Sequence, residues 1–174
     1  MQQPMSEWFW FSHDNQLMLS MGKQWQCTTA YGHKQIVDLP QKDLLFSVAD
    51  SQCYLSIAEH LNDSAKQFSP AQVTHIAINA TAAIQFHKPI SPKSWYFDEV
   101  ETFGFHHQLA RVSNQFNTGS VFVLFEQGAL ATCMLLSEKL QLDEHKVLQQ
   151  FELIKVAKSR LEPLMLENAS QLTG

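Results

Sequence analysis

The chain has 174 residues, 45% of them hydrophobic, enough for one ordinary core or two small ones at roughly 100 to 150 residues per typical domain. Seventeen acidic residues against 12 basic ones give a net charge of -5, which excludes a general nucleic-acid or anionic-membrane binder, because attraction to phosphate needs a basic excess. Any attraction to an acidic partner must therefore be local.

From the N-terminus, Met1 to Glu7 holds no basic residue, so no secretory signal is expected. Trp8-Phe9-Trp10-Phe11, a polar Ser12-His13-Asp14-Asn15 and Leu17-Met18-Leu19 then read as a β-hairpin. Alternation places Trp8 and Trp10 on one face and Phe9 and Phe11 on the other, leaving two readings: all four in the core, or one pair lining an exposed groove. Trp25 to Thr29 is a third strand, followed by a polar loop through Gly32, Asp38 and Pro40. Phe46-Ser47-Val48 reads as a strand leading into a short helix that carries Tyr54, Ile57 and Leu61 at helical spacing.

The clearest helix starts at Pro70 and runs to about His87. Ser69 suits the N-cap, Pro70 stands where a missing N–H costs nothing, and Gln72 completes a capping box. Val73, Ile76, Ala77, Ala80 and Ile84 form an apolar stripe that Ile78, Ala82 and Ala83 widen, as a central packed helix requires. Residues 67–87 carry no Lys, Arg, Asp or Glu, but their many polar groups exclude a membrane span and favour a buried helix.

Pro89 and Pro92 then forbid helix and central strand alike, which places a domain boundary in residues 88–94. Beyond it come short β-rich runs: Trp95 to Phe97, Thr102 to Phe105, Leu109 to Val112, Ser120 to Phe125, Leu130 to Leu136 and Lys139 to Leu142. A closing amphipathic helix is expected from Glu152 to Glu162, with Leu153, Val156, Ala157 and Leu161 inward and Pro163 ending it. The expected organisation is α+β: residues 1–90 an N-terminal α/β domain with a central helix, residues 91–166 a C-terminal antiparallel, barrel-like β domain, and residues 167–174 a flexible tail.

Catalytic chemistry finds little footing. The six glycines never approach a phosphate-loop spacing, and no CxxC or HxxxH pair supports structural zinc. The three cysteines, Cys27, Cys53 and Cys133, are odd in number and widely spaced, as reduced thiols of a cytoplasmic core would be. Asp98, Glu99, Glu101, His106 and His107 are the densest ligand-type cluster, but neighbouring histidines on a strand point to opposite faces and do not readily share a metal. His75, inside the uncharged helix, reads as a neutral histidine at the core margin. Neither cofactor nor metal nor catalytic residue is assigned. Lys88 and Lys93 bracket the prolines at the helix C-terminus. They serve either the helix dipole or a rigid basic ledge that captures an acidic partner.

The run Ile84-Gln85-Phe86-His87-Lys88-Pro89-Ile90-Ser91-Pro92-Lys93-Ser94-Trp95-Tyr96-Phe97, preceded by Asn79-Ala80, resembles the KPxxPKSWxF segment of the ZapC family of division-ring proteins. Trp8-x-Trp10 with Leu17-Met18-Leu19 is similar to that family's opening hairpin, and Arg160-Leu161-Glu162-Pro163 to its ending. The order of elements matches over nearly the whole chain, whereas residues 22–46 and 100–136 match poorly. The resemblance implies an N-terminal α/β domain, a barrel-like C-terminal domain, a location in the cytoplasm at midcell and no enzymatic activity. It implies binding to the filament protein FtsZ, lateral bundling of its protofilaments, a stabilised division ring and slower GTP hydrolysis by FtsZ. Lys88 and Lys93, at the motif lysines, are then the leading polar contacts of a monomer. Leu19 with Trp8 or Trp10 supplies an apolar groove, and Trp95 is counted among the partner-binding residues. Two alternatives from other classes stand: a small-ligand-binding or hydrolytic enzyme with a cleft between its domains, and a homo-oligomeric scaffold that associates through the aromatic hairpin.

Overall fold

A computed structural model describes residues 2–23 and 25–164; the expected tail, residues 167–174, lies outside them. The chain divides into two compact units, one of residues 1–59 and 69–89, the other of residues 60–68 and 90–174.

The first unit is a four-stranded antiparallel sheet with helices. Strands β1 (Phe9–His13) and β2 (Gln16–Ser20) form the hairpin, closed by Asp14 and Asn15 at positive φ of 51° and 62°, a conformation Asn and Asp tolerate better than other side chains. Strand β3 (Gln26–Gly32) pairs with β2, and the two-residue β4 (Leu44–Leu45) pairs with β1, in the order β3-β2-β1-β4. The expected strand at Phe46-Ser47-Val48 is displaced two residues upstream, because helix α1 (Val48–Asp63) starts sooner and runs longer than the short helix expected. Ser47 and Asp50 explain that start: Asp50 N–H donates to Ser47 Oγ and Ser47 N–H to Asp50 Oδ2, a reciprocal cap across the first turn. Tyr54, Ile57 and Leu61 are all buried, as their spacing implied.

Helix α2 (Pro70–Phe86) has the capping box read from the sequence: Gln72 N–H donates to Ser69 Oγ and Ser69 N–H to the Gln72 side chain. Its residues from Ile76 to Ala83 are buried without interruption, the all-round apolarity of a helix inside a core. Aromatic rings fill the rest of that core. Trp8 packs edge-on against Phe46 and Tyr54, with centroids 5.4 and 5.7 Å apart, and Trp10 lies 5.4 Å from both Phe46 and Phe86. The Trp10 indole N–H donates to the buried carboxylate of Asp50 at 3.0 Å, giving the aromatic ring's one polar atom a partner.

The second unit is a five-stranded antiparallel sheet of β10 (Leu153–Ala157), β7 (Leu130–Leu135), β6 (Thr118–Gln127), β5 (Leu109–Ser113) and β11 (Glu162–Pro163), in that order, with a separate hairpin of β8 (Lys139–Gln141) and β9 (Val147–Gln149). Strands β5 (Leu109–Ser113), β6 (Thr118–Gln127), β7 (Leu130–Leu135) and β8 (Lys139–Gln141) fall on the β-rich runs read from the sequence, and β9 (Val147–Gln149) completes the small hairpin. The five-stranded sheet ends in two edges among the described residues, so it is barrel-like in its antiparallel order without closing.

Three local expectations are corrected. The closing helix of residues 152–162 is instead strand β10 (Leu153–Ala157), a 3₁₀ turn (Lys158–Arg160) and the two-residue β11 (Glu162–Pro163). Ile154 and Val156 are buried while their neighbours are half-buried, a period of two set by pairing with β7, and β-branched residues suit that pleat. Residues 95–97 are no strand, because Ser94–Tyr96 forms a 3₁₀ turn whose Ser94 carbonyl accepts the Phe97 N–H. Residues 102–105 are irregular, tied by Gly104 N–H to the Leu161 carbonyl.

Candidate functional site

Sequence reasoning assigned Leu19, Trp8 and Trp10 to an apolar groove. Alternation does set Trp8 and Trp10 on a common face, but that face is the core: Trp8 is 1% exposed, and Trp10 and Leu19 are 0% exposed. Phe9 and Phe11, with centroids 5.9 Å apart, lie half-buried on the opposite face. In this conformation the three core residues offer a partner no surface.

A different groove is open in the first unit, between the start of β3 and the first turns of α2. Its volume is 610 Å³, within the ~300 to 1,000 Å³ usual for binding sites. Trp25, 62% exposed, stands at its mouth, with Met21, Cys27 and Ile78 supplying apolar lining. Gln2 forms one wall: its N–H donates to Thr74 Oγ1 at 3.1 Å, and Tyr54 Oη–H donates to its carbonyl at 2.7 Å. Among the described residues no Lys, Arg, Asp or Glu lines the groove. Partial burial lowers the pKa of His75, so at neutral pH that side chain adds no charge either. Burial pushes the Cys27 thiol up to about 11, which keeps it protonated and a poor nucleophile. These groups can hold an apolar or neutral segment; they are not arranged for acid–base work.

The motif lysines fall in different units. Lys88 belongs to the first, where its N–H donates to the Gln35 carbonyl at 2.7 Å just past the end of α2, and its side chain is exposed. Lys93 belongs to the second, where its N–H donates to the Lys155 carbonyl at 2.8 Å and the ammonium of Lys146 beside it lowers its pKa. Two neighbouring ammonium groups favour an anion between them, and in an acidic protein that makes a local positive spot. Trp95, 70% exposed, follows Lys93 on the 3₁₀ turn and is tilted against Tyr96 with centroids 5.6 Å apart. Lys93, Lys146 and Trp95 thus form a second exposed surface, on the second unit. Sequence reasoning missed Trp25 and Lys146. An isolated tryptophan among Gly22, Lys23, Gln24 and Gln26 was the available signal for the first.

His106 and His107 do not alternate on a strand as expected. They open a two-residue turn in which His107 and Gln108 have φ of 49° and 63°, and their rings lie 4.4 Å apart, with His60 6.1 Å from His107. No group of three or more His, Cys, Asp or Glu side chains among the described residues is placed to hold a metal ion. No described helix is long and apolar enough to cross a membrane.

Two compact units, each with its own core and its own exposed aromatic surface, define a modular α+β protein. A family profile described as cell-division protein ZapC, N-terminal, matches residues 1–88, and its companion for the C-terminal part matches residues 89–167. The chain belongs to the ZapC family of cell-division proteins. Relatives named cell division protein ZapC include one from Pseudoalteromonas atlantica, 38% identical over 94% of each chain. One from Shewanella woodyi is 33% identical over 95% of this chain and 93% of its own, and one from Pseudoalteromonas translucida 30% identical over 95% of each.

Proposed function

We propose that this protein is a monomeric, non-enzymatic factor of the cytoplasm that binds polymerised FtsZ at midcell, bundles its protofilaments side by side, stabilises the division ring and slows GTP hydrolysis by FtsZ. The observation that carries this reading is one exposed aromatic surface on each unit: Trp25 at the neutral groove of the first, Trp95 beside Lys93 and Lys146 on the second. A bundling factor must touch two filaments or two subunits. Once one surface is bound, the other acts at a high effective concentration.

Polar capture falls to Lys88, Lys93 and Lys146, since FtsZ-family proteins are acidic and these cations are local exceptions in a chain of net charge -5. Apolar contact falls to Trp25 and Trp95, while Leu19, paired with Cys27 on β3, and Trp8, packed on the Tyr54 ring that holds Gln2, brace the first surface from the core. Slower GTP hydrolysis follows when adjacent filaments release subunits less readily, so no catalytic group is required of this chain.

The test is pelleting of GTP-assembled FtsZ with and without the protein. The protein should enter the pellet, more FtsZ should sediment, and Lys88→Glu with Lys93→Glu should abolish both effects while circular dichroism stays unchanged. Failure of the wild type to pellet at micromolar concentration removes the FtsZ reading.

A further inference from the structure

Strand β3 is an edge of its sheet, and its open side faces the groove. Met21 N–H donates to the Trp25 carbonyl at 2.8 Å, which turns the backbone groups of Trp25, and two residues on those of Cys27, inward to β2. By the alternation of an antiparallel ladder, Gln26 and Thr28 turn theirs outward, as does Ala30. Ala30 is closed off: its N–H donates to the side chain of Asn79 on α2 at 2.8 Å, and Asn79 in turn donates to the His75 carbonyl. Helix and strand are thus pinned together at Ala30 and part toward Gln26. Among the described residues the outward N–H groups of Gln26 and Thr28 are not used by β2, and the Thr28 carbonyl takes only the weak Cys27 thiol at 3.7 Å, so this edge lies open against an apolar slot, the arrangement that accepts an added strand.

Building on the reading of this groove as a partner site, we propose that it takes an extended, uncharged segment of the partner, which adds as a strand to β3 at Gln26 and Thr28 and seats an apolar side chain between Trp25 and Ile78. The lining decides the chemistry of the occupant. With no Lys, Arg, Asp or Glu lining the slot among the described residues, an ionised residue in the segment loses water and gains no counter-charge. An apolar side chain meets an exposed indole and a buried isoleucine face. Backbone bonds to the edge supply affinity, and alternate side chains supply selectivity.

The deciding experiment is a titration of the isotope-labelled full chain with a capped heptapeptide of alternating isoleucine and threonine. A peptide of the same sequence, N-methylated at every second amide, serves as control. The amides of Gln26 and Thr28 and the Trp25 indole should shift and exchange more slowly with the first peptide and stay unmoved with the second. The companion variant is Thr28→Pro, which deletes an outward N–H that β2 does not use and is a substitution an edge strand tolerates. It should weaken co-sedimentation with FtsZ about tenfold while circular dichroism stays unchanged. Unmoved Gln26 and Thr28 amides at millimolar peptide overturn strand addition. Shifted amides with no FtsZ pelleting leave strand addition standing and remove FtsZ as the partner. A dimer seen by light scattering in the wild type and lost in Thr28→Pro overturns the proposal in favour of a second copy of the chain at the edge.

Discussion

The first unit fills its core with rings and the second with branched aliphatics. Trp8, Trp10, Phe46, Tyr54 and Phe86 interlock between sheet and helices in one. In the other, Val112, Val121, Val123, Leu135, Leu140, Ile154 and Val156 pack under a sheet with few aromatics. The space between a helix and a sheet is wide and uneven, and large flat side chains with a polar tip fill it if the tip finds a partner, as Trp10 does at Asp50. A β unit packed on itself is filled by short, stiff side chains alternating along each strand. Both units place their remaining tryptophans, Trp25 and Trp95, outside those cores. Four chemically identical side chains are thereby divided between buried core and exposed surface.

The strongest challenge to that division is Trp10→Ala. It removes a fully buried ring and leaves the buried Asp50 carboxylate with the Ser47 N–H as its remaining donor, so unfolding in urea should show a loss of about 3 to 5 kcal/mol. Trp10→Phe keeps most of the volume but not the hydrogen bond, and should fall between this variant and wild type. In the second unit the matching challenge is too much volume. A methyl group at Gly119 would stand 2.9 Å from Leu140 Cδ1 and 3.3 Å from Leu135 Cδ1, and a filled aliphatic core yields little. Gly119→Ala should therefore cost about 1 to 3 kcal/mol by the same measurement.

How much of this was legible in the sequence follows from the range of the interactions concerned. Helix α2 was readable to the residue at its start, because its start signals, Ser69, Pro70 and Gln72, act within one turn. The four strands from Leu109 to Gln141 were readable because turn residues separate alternating runs. Residues 152–162 misled because Leu153, Val156, Ala157 and Leu161 fit a helical stripe as well as a strand, and only pairing of Ile154 with Cys133 on β7 decides between them. The groove was hidden for a similar reason: Trp25, Cys27 and Ile78 are separated by some fifty residues of chain, and Asn79 to Ala30 is a tertiary bond. Burial of the hairpin tryptophans was the half of an open choice that alternation could not settle, since period two names the faces without saying which one is covered.

The α2 cap tests how far local signals contribute once packing is in place. Ser69→Ala leaves the Gln72 N–H without its side-chain acceptor and should cost about 1 kcal/mol, less than either core change. A loss no larger than experimental error would mean that the buried run from Ile76 to Ala83 holds the helix by itself.

The smallest stability effects belong to the exposed tryptophans, and they sharpen the comparison most. Trp25→Ala and Trp95→Ala should each change unfolding free energy by less than about 0.5 kcal/mol, as surface substitutions outside a core do. Co-sedimentation with FtsZ filaments separates their roles. If each unit supplies one contact, either variant alone should keep some protein in the pellet while the gain in pelleted FtsZ disappears, because one remaining surface binds a filament but cannot join two. Equal loss of binding and bundling in both variants would place the two aromatics in one composite contact, and the bridging mechanism would then need a second molecule rather than a second unit.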